Sequence, residues 1–258
     1  MVLTGGPCSG KSSALSYLQR ELQSQHVHSS GGGSGIEQQQ PVVYCAPEAA
    51  TLLVQTGIHF DPKIKCYTQQ LQDQLAICRM QLALEDNLAR VAASRVQNSE
   101  ENQKAIILCD RGIIDNKGYM SETLWREVLS NLYHEHFKEQ LTEHSLFEDS
   151  LLQRYQGVIH MDTAAKGALS FFKNGKTVDD SGKTVFRRES PEQASALDDQ
   201  MWDLWQSHPH HRRIQNRNSS VDDSDENGKT KSKSNNPFQI KLDATLLAVQ
   251  DICNRHFD

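Results

Sequence analysis

The sequence predicts an α/β fold, a three-layer α/β/α arrangement around a five-stranded parallel sheet. Three observations predict it. Short apolar runs recur along the chain, amphipathic helical patterns separate them, and a glycine-rich turn joins the first run to the first helical pattern. Strand and helix in alternation is the pattern of a parallel sheet covered on both faces.

The apolar runs are Met1–Thr4, Val42–Ala46, Ala105–Cys109, Gly157–Met161 and, most weakly, Arg213–Gln215. Only Met1–Thr4 precedes the first glycines, against a usual strand of ~5–6 residues. Either the N-terminus is truncated or this strand is minimal. The longest helical pattern runs from about Tyr67 to Ala93, where Leu71, Leu75, Ile77, Cys78, Met80, Leu82, Leu84, Leu88 and Val91 recur at mixed threes and fours. Trp125, Val128, Leu129 and Leu132 mark a second amphipathic helix. Lys241–His256, with Leu242, Leu246, Val249 and Ile252, makes a closing one.

Residues Gly5–Ser12 read Gly-Gly-Pro-Cys-Ser-Gly-Lys-Ser. They match the phosphate-loop pattern G-x-x-x-x-G-K-[ST], and they lie between a strand and a helix, as that pattern requires. Leu15, Leu18 and Leu22 give the following helix one apolar face. Glycines let successive N–H groups turn toward a phosphate, and the helix N-terminus adds its partial positive charge. Lys11 is then placed for the β- and γ-phosphates, and the Ser12 hydroxyl for a Mg²⁺ shell. Gly5, Gly6, Pro7, Cys8, Ser9, Gly10, Lys11, Ser12 and Ser13 are the expected nucleotide-binding residues. The fold is thus a P-loop NTPase of nucleoside/nucleotide-kinase-like type.

Ligands of such sheets bind at the carboxyl ends of the strands. Glu48 follows the second run, where it is placed either to bind and deprotonate a substrate hydroxyl or to stabilise a helix N-terminus. Asp110 ends the third run, the expected position for a second Mg²⁺ ligand. Arg111 beside it is placed to clamp a phosphate or second substrate, and Asp115 reads as a turn or helix-start acid. Arg187-Arg188-Glu189 follows the polar stretch Lys173–Lys183. It reads as a mobile lid closing a guanidinium on the transferred group, or as an exposed basic pair.

Composition excludes other classes. The net charge of −6, from 27 basic and 33 acidic residues, gives no nucleic-acid footprint. No apolar run is long enough to span a bilayer, and no signal peptide opens the chain. The six cysteines form no C-x-x-C pair, which suits a reducing, cytoplasmic setting. His134, His136, His208, His210 and His211 lack the spacing of a zinc site. Segments at about 23–41 and 217–236 are too polar to bury a core and read as disordered surface insertions. The elements continue across both, so residues 1–258 read as one P-loop domain.

Assembled, these residues resemble a known family. It comprises the small AAA-type P-loop ATPase/kinase-like domains shared by the bacterial NadR nicotinamide riboside kinase and the eukaryotic TRP-channel translocation-defect GTP-binding protein. The resemblance runs from Val2 to about Asn216. It rests on Thr4–Ser12, Pro47-Glu48-Ala49-Ala50-Thr51, Cys109-Asp110-Arg111-Gly112, Arg187-x-Glu189, Leu197-Asp198, Trp205-x-x-His208-Pro209 and Ile214-x-Asn216. It implies that the loop and Lys11 bind nucleotide phosphates and that Asp110 organises Mg²⁺. Glu48 and Arg111 would face a second substrate, Arg187 would belong to the lid, and Asn216 would lie near the base.

Two functions follow as expectations. One is γ-phosphoryl transfer from ATP to a small nucleoside-like acceptor. The other is a GTP- or ATP-dependent switch acting on a protein or phosphoinositide membrane partner. There is no Asn-Lys-x-Asp guanine-reading motif, so ATP comes first.

Overall fold

A computed structural model describes residues 1–24, 41–60, 64, 66–99, 103–136, 144–173, 175–178, 184–187, 189–216 and 236–257. Strands β1 (Val2–Thr4), β2 (Val42–Ala46), β3 (Ala105–Asp110), β4 (Val158–Met161) and β7 (His211–Ile214) form a parallel sheet of order β2-β3-β1-β4-β7. The strands β5 (Gly175–Val178) and β6 (Thr184–Arg187) pair antiparallel as a separate hairpin. The helices are α1 (Lys11–Ser24), α2 (Ala49–Gln55), α3 (Tyr67–Gln97), α4 (Glu122–His136), α5 (His144–Leu152), α6 (Pro191–Leu204) and α7 (Pro237–Phe257). None is long and apolar enough to cross a membrane among the described residues.

The three-layer, five-stranded α/β/α P-loop fold is therefore present. The last strand begins at His211, two residues before the weak apolar signal, because its pairing with β4 starts at Val158↔His211. The long helix continues past Ala93 to Gln97. The first polar segment begins later than its composition suggests, since Gln23 and Ser24 still belong to α1. Residues 25–40 and 217–235 lie outside the described residues.

Two compact units make up the chain. The first holds Met1–Val2 and Gln19–Tyr155. Within it β2 and β3 pair in register from Val42↔Ala105 to Ala46↔Cys109. The Met1 ammonium donates to Ile107 O at 2.7 Å, and Met1 O accepts from Cys109 N at 2.9 Å. Helix α3 buries Leu71, Leu75, Cys78 and Leu82 at the spacing of one helical face, and Ile77 on another. Ile77 meets Ala49 and Leu53 of α2. Helix α4 buries Trp125, Val128 and Leu132, and the Trp125 Nε1–H is satisfied by Glu148 at 2.9 Å.

The second unit holds Leu3–Leu18 and Gln156–Asp258. All four residues of β4 are buried, as expected of a central parallel strand. Helix α6 starts at a capping box: Ser190 Oγ accepts from Gln193 N, the Gln193 side chain accepts from Ser190 N, and Pro191 occupies the first turn. His211 stacks on Trp202 with ring centroids 4.0 Å apart. Burial, with the nearby His160, His208 and Arg213, pushes the His211 imidazole down to about 4.

Candidate functional site: a phosphate loop and a strand-end ion pair

In the second unit the chain leaves β1 through Gly5, at φ 128°, and re-enters regular structure at α1 after Gly10, at φ 88°. A Cβ at Gly5 would lie 2.1 Å from Met161 O, and one at Gly10 would lie 2.7 Å from the Phe238 ring. Both positions need glycine for backbone angle and for space. Cys8 takes the left-handed conformation at φ 59° and donates its thiol to Lys173 O at 3.3 Å. Lys11 Nζ donates to Gly5 O at 2.9 Å, Gly6 O at 3.0 Å and Ser9 Oγ at 3.0 Å, so its ammonium sits over the curve of the loop. Ser12 lies exposed in the first turn of α1, and Ser13 follows it.

Residues from β4 onward hold this loop in place. Asp198 of α6 is fully buried. Its Oδ1 accepts from Gly6 N at 2.7 Å and Thr163 N at 3.1 Å, while Oδ2 accepts from Lys166 Nζ at 2.8 Å. His160 Nε2 lies 3.2 Å from Oδ1. Burial opposes the charge on Asp198. The His160 ring, Lys166 and the Gly6 N–H outweigh it and hold the carboxyl well below the usual range. Asn216, expected near a base, has its amide engaged in the scaffold. Its Nδ2 donates to Thr163 O and Lys166 O, both at 2.8 Å, and its Oδ1 accepts from Lys241 Nζ at 2.9 Å.

In the first unit Glu48 is the residue before α2, yet its carboxylate makes no cap bond to the helix. Oε1 accepts from Arg111 Nε at 2.7 Å and Oε2 from Thr51 Oγ1 at 2.5 Å. Arg111 is left-handed at φ 71°. Its carbonyl accepts from Gln81 at 3.2 Å, and its guanidinium lies 5.5 Å from the Tyr119 ring centroid. Burial disfavours its charge, but Tyr119, Glu48, Asp115 and Asp110 together keep it above its ordinary value. Asp115 accepts from Gly112 N at 3.2 Å inside the short helix Ile113–Tyr119. Behind the turn, buried Glu85 takes Tyr155 Oη, Gln81 and Arg154, and Tyr155 Oη accepts from Ile113 N at 2.8 Å. Asp110 ends β3, half-buried.

Sequence reading thus names two groups that the structure assembles: the loop residues around Lys11 in one unit, and Glu48 with Arg111 in the other. Arg187 lies at the end of β6, its backbone opposite Gly175. The antiparallel hairpin replaces the plain polar loop expected there, and Arg188 lies outside the described residues. Asp162, Thr163, Lys166 and Lys241 were missed. Asp162-Thr163 directly follows β4, so the strand-end rule covers it. Lys241 carried a subtler signal, a lone charge on the buried face of α7.

Among the described residues His160, Asp162 and Asp198 are spaced as ligands could be. However, Arg213 already pairs with Asp162 at 2.6 Å and Lys166 with Asp198 at 2.8 Å. With both carboxylates already matched by cations, the group does not fit a metal. Within the second unit the exposed Ser12 hydroxyl, beside the phosphate loop, is a hard oxygen donor of the kind that suits Mg²⁺.

A glycine-shaped loop between a parallel strand and a helix, with a lysine over its curve, defines a P-loop nucleotide-binding protein. A profile of the AAA domain family matches residues 1–222, and the chain belongs to that family. No curated protein and no solved structure matches it.

Proposed function

We propose that this protein binds a nucleoside triphosphate, ATP before GTP, and transfers its γ-phosphoryl group to a small nucleoside-like acceptor, as a NadR-like member of its family. The observation that carries this reading is the Glu48–Arg111 pair. A carboxylate at a helix start would ordinarily serve that helix; Glu48 instead holds a guanidinium at the adjacent strand end. A fixed carboxylate and guanidinium at strand ends are what an acceptor hydroxyl and a phosphate each require.

The residues then divide the work. The loop amides and Lys11 hold the phosphates. Ser12 and Asp110 would hold Mg²⁺, which would neutralise phosphate charge. Glu48 orients the acceptor hydroxyl and receives its proton, Arg111 steadies the incoming group, and Arg187 closes with the β5–β6 hairpin. The bond from the γ-phosphorus to the β-phosphate oxygen breaks, a bond to the acceptor oxygen forms, and the nucleoside diphosphate leaves.

The test is a turnover screen against nucleosides and small hydroxylated metabolites, with Glu48→Gln alongside. One acceptor should raise ADP release well above the unstimulated rate. Glu48→Gln should lower that rate by about 10²–10⁴ while nucleotide binding stays. A panel in which no acceptor stimulates turnover, with Glu48→Gln silent, replaces transfer by the nucleotide-dependent switch with a protein or phosphoinositide partner.

A further inference from the structure

Three consecutive carbonyls of the phosphate loop are held from outside it. Pro7 O accepts from Thr163 Oγ1, Cys8 O accepts from Ala164 N at 3.1 Å, and Ser9 O accepts from Lys241 Nζ at 2.9 Å. In a planar trans peptide the N–H points opposite to the C=O. Fixing these carbonyls therefore fixes the N–H groups of Cys8, Ser9 and Gly10 on the other side of the loop. Successive N–H groups turned to one side make an anion-binding concavity. Lys241 is nearly buried, at 4 % exposure, and its ammonium also donates to Asp162 O at 2.5 Å and Asn216 Oδ1 at 2.9 Å. A buried ammonium is costly unless its protons are used, and here three acceptors take them.

From this geometry we infer that Lys241 and Thr163 are positioning residues that preset the loop amides for the phosphates of the nucleotide. The inference rests on the nucleotide-binding reading. It assigns the last helix a part in phosphate recognition without any contact to phosphate. The brace acts on the phosphate chain alone, so it discriminates ATP and ADP from the bare nucleoside.

Lys241 also gives the brace a pH signature. It faces Asp162 after β4, Asp198 on α6 and Lys11 on α1. Arg213 of β7 pairs with Asp162, and Lys166 and His160 lie against Asp198. On its own helix Asp243 is held by Tyr17 and Gln239. Burial lowers Lys241 to about 8, with Lys11 adding to the effect and Asp162 and Asp198 opposing it. Below that pH the ammonium holds all three acceptors; above it one proton and the charge are gone.

The experiment measures binding of Mg²⁺-ATP, Mg²⁺-ADP and adenosine by calorimetry to the full chain and to Lys241→Met, Thr163→Val and Thr163→Ser. Lys241→Met and Thr163→Val should each weaken ATP and ADP by about tenfold or more, the size of one lost charge-assisted or buried hydrogen bond. Adenosine should bind as before, and Thr163→Ser should bind ATP like the parent. Parent affinity for ATP should fall between pH 7 and 9.5, and the affinity of Lys241→Met should not follow it. If Lys241→Met fails to fold, the comparison of Thr163→Val with Thr163→Ser decides. A parent that binds no nucleotide overturns the nucleotide reading together with the brace. A parent that binds, with folded variants that match it, overturns the brace alone.

Discussion

Two strand ends in this protein turn left-handed, and they do so for opposite reasons. After β1 the chain passes through Gly5, Cys8 and Gly10 at φ 128°, 59° and 88°. Side chains are missing where other backbone and the Phe238 ring come close. The turn's working chemistry is its main-chain N–H groups, with the carbonyls held from behind. After β3 the left-handed residue is Arg111, at φ 71°. It keeps a long side chain despite the roughly 1–2 kcal/mol that a left-handed non-glycine residue costs. Its guanidinium is then held by Glu48 and faced by Tyr119. One turn works with its backbone, the other with a side chain.

That difference explains what could be read from the sequence. A turn that works with its backbone must place glycines and a lysine at fixed spacing, so Gly5–Ser12 announce themselves. A turn that works with a side chain leaves no spacing rule. Glu48 and Arg111 were legible only through their place after apolar strands, and their mutual contact, over 63 positions of sequence, was not. Asp198 and Lys241 support the loop from helices far along the chain, and a single buried charge in a helix resembles any other residue until its partners are known. Strand β7, His-Arg-Arg-Ile and half-buried, left only a weak signal, whereas strands β1 to β4 were legible because buried parallel strands read as apolar runs. The hairpin β5–β6 was not, because Gly175–Val178 and Thr184–Arg187 are short and mix polar with apolar residues.

The comparison breaks first at Gly5. Gly5→Ala puts a Cβ against the Met161 carbonyl at 2.1 Å and should cost more than about 4 kcal/mol, enough to prevent folding in a marginal protein. Gly57 is the control. It too has positive φ, 98°, but nothing lies within 4 Å of its Cβ position. Gly57→Ala should cost only about 1 kcal/mol. Thermal melts of the two variants check this, and equal losses would show that backbone angle, rather than crowding, sets the need for glycine.

Asp198→Asn comes next. The variant keeps the shape but removes the carboxylate that accepts from Gly6 N, Thr163 N and Lys166; Lys166 keeps Asp199, so the loss should be that of charge-assisted hydrogen bonds, about 1.5–3 kcal/mol. The folded carboxyl lies below its unfolded value. Its stabilisation is therefore complete above the ordinary carboxylate range, near ~3.9, and is lost as pH falls toward the folded value. Urea titrations should show a constant gap between parent and variant from pH 7 to 5, narrowing below about 4. A gap that widens on acidification would mean that the charge is not what Asp198 contributes.

Lys11→Ala tests the backbone turn as a binding device. Removing the ammonium should weaken ATP about ten- to a hundredfold, one lost charge-assisted contact of about 1.5–3 kcal/mol. The melting temperature should move much less. Unchanged ATP and GTP affinity in the folded variant would remove the nucleotide site from this loop.

The smallest expected change in stability is at the other turn. Arg111→Gly removes the bond to Glu48 and the contact with Tyr119, which costs stability. It also relieves the left-handed backbone, worth about 1 kcal/mol. Glu48 retains Thr51 and partial exposure to water, with 32 % of its side chain accessible, so it is not stranded as a buried charge. The two terms nearly cancel, and the melting temperature should stay within about 4 °C of the parent at the roughly 2–4 °C per kcal/mol expected for a chain of this size. Acceptor-stimulated turnover should nevertheless fall sharply, because the group that steadies the incoming phosphate is gone. Stability retained with activity lost is the signature of a residue kept for function against its own backbone preference. A fall of 10 °C or more, with the remaining folded protein fully active, would make Arg111 a structural clasp and erase the contrast between the two turns.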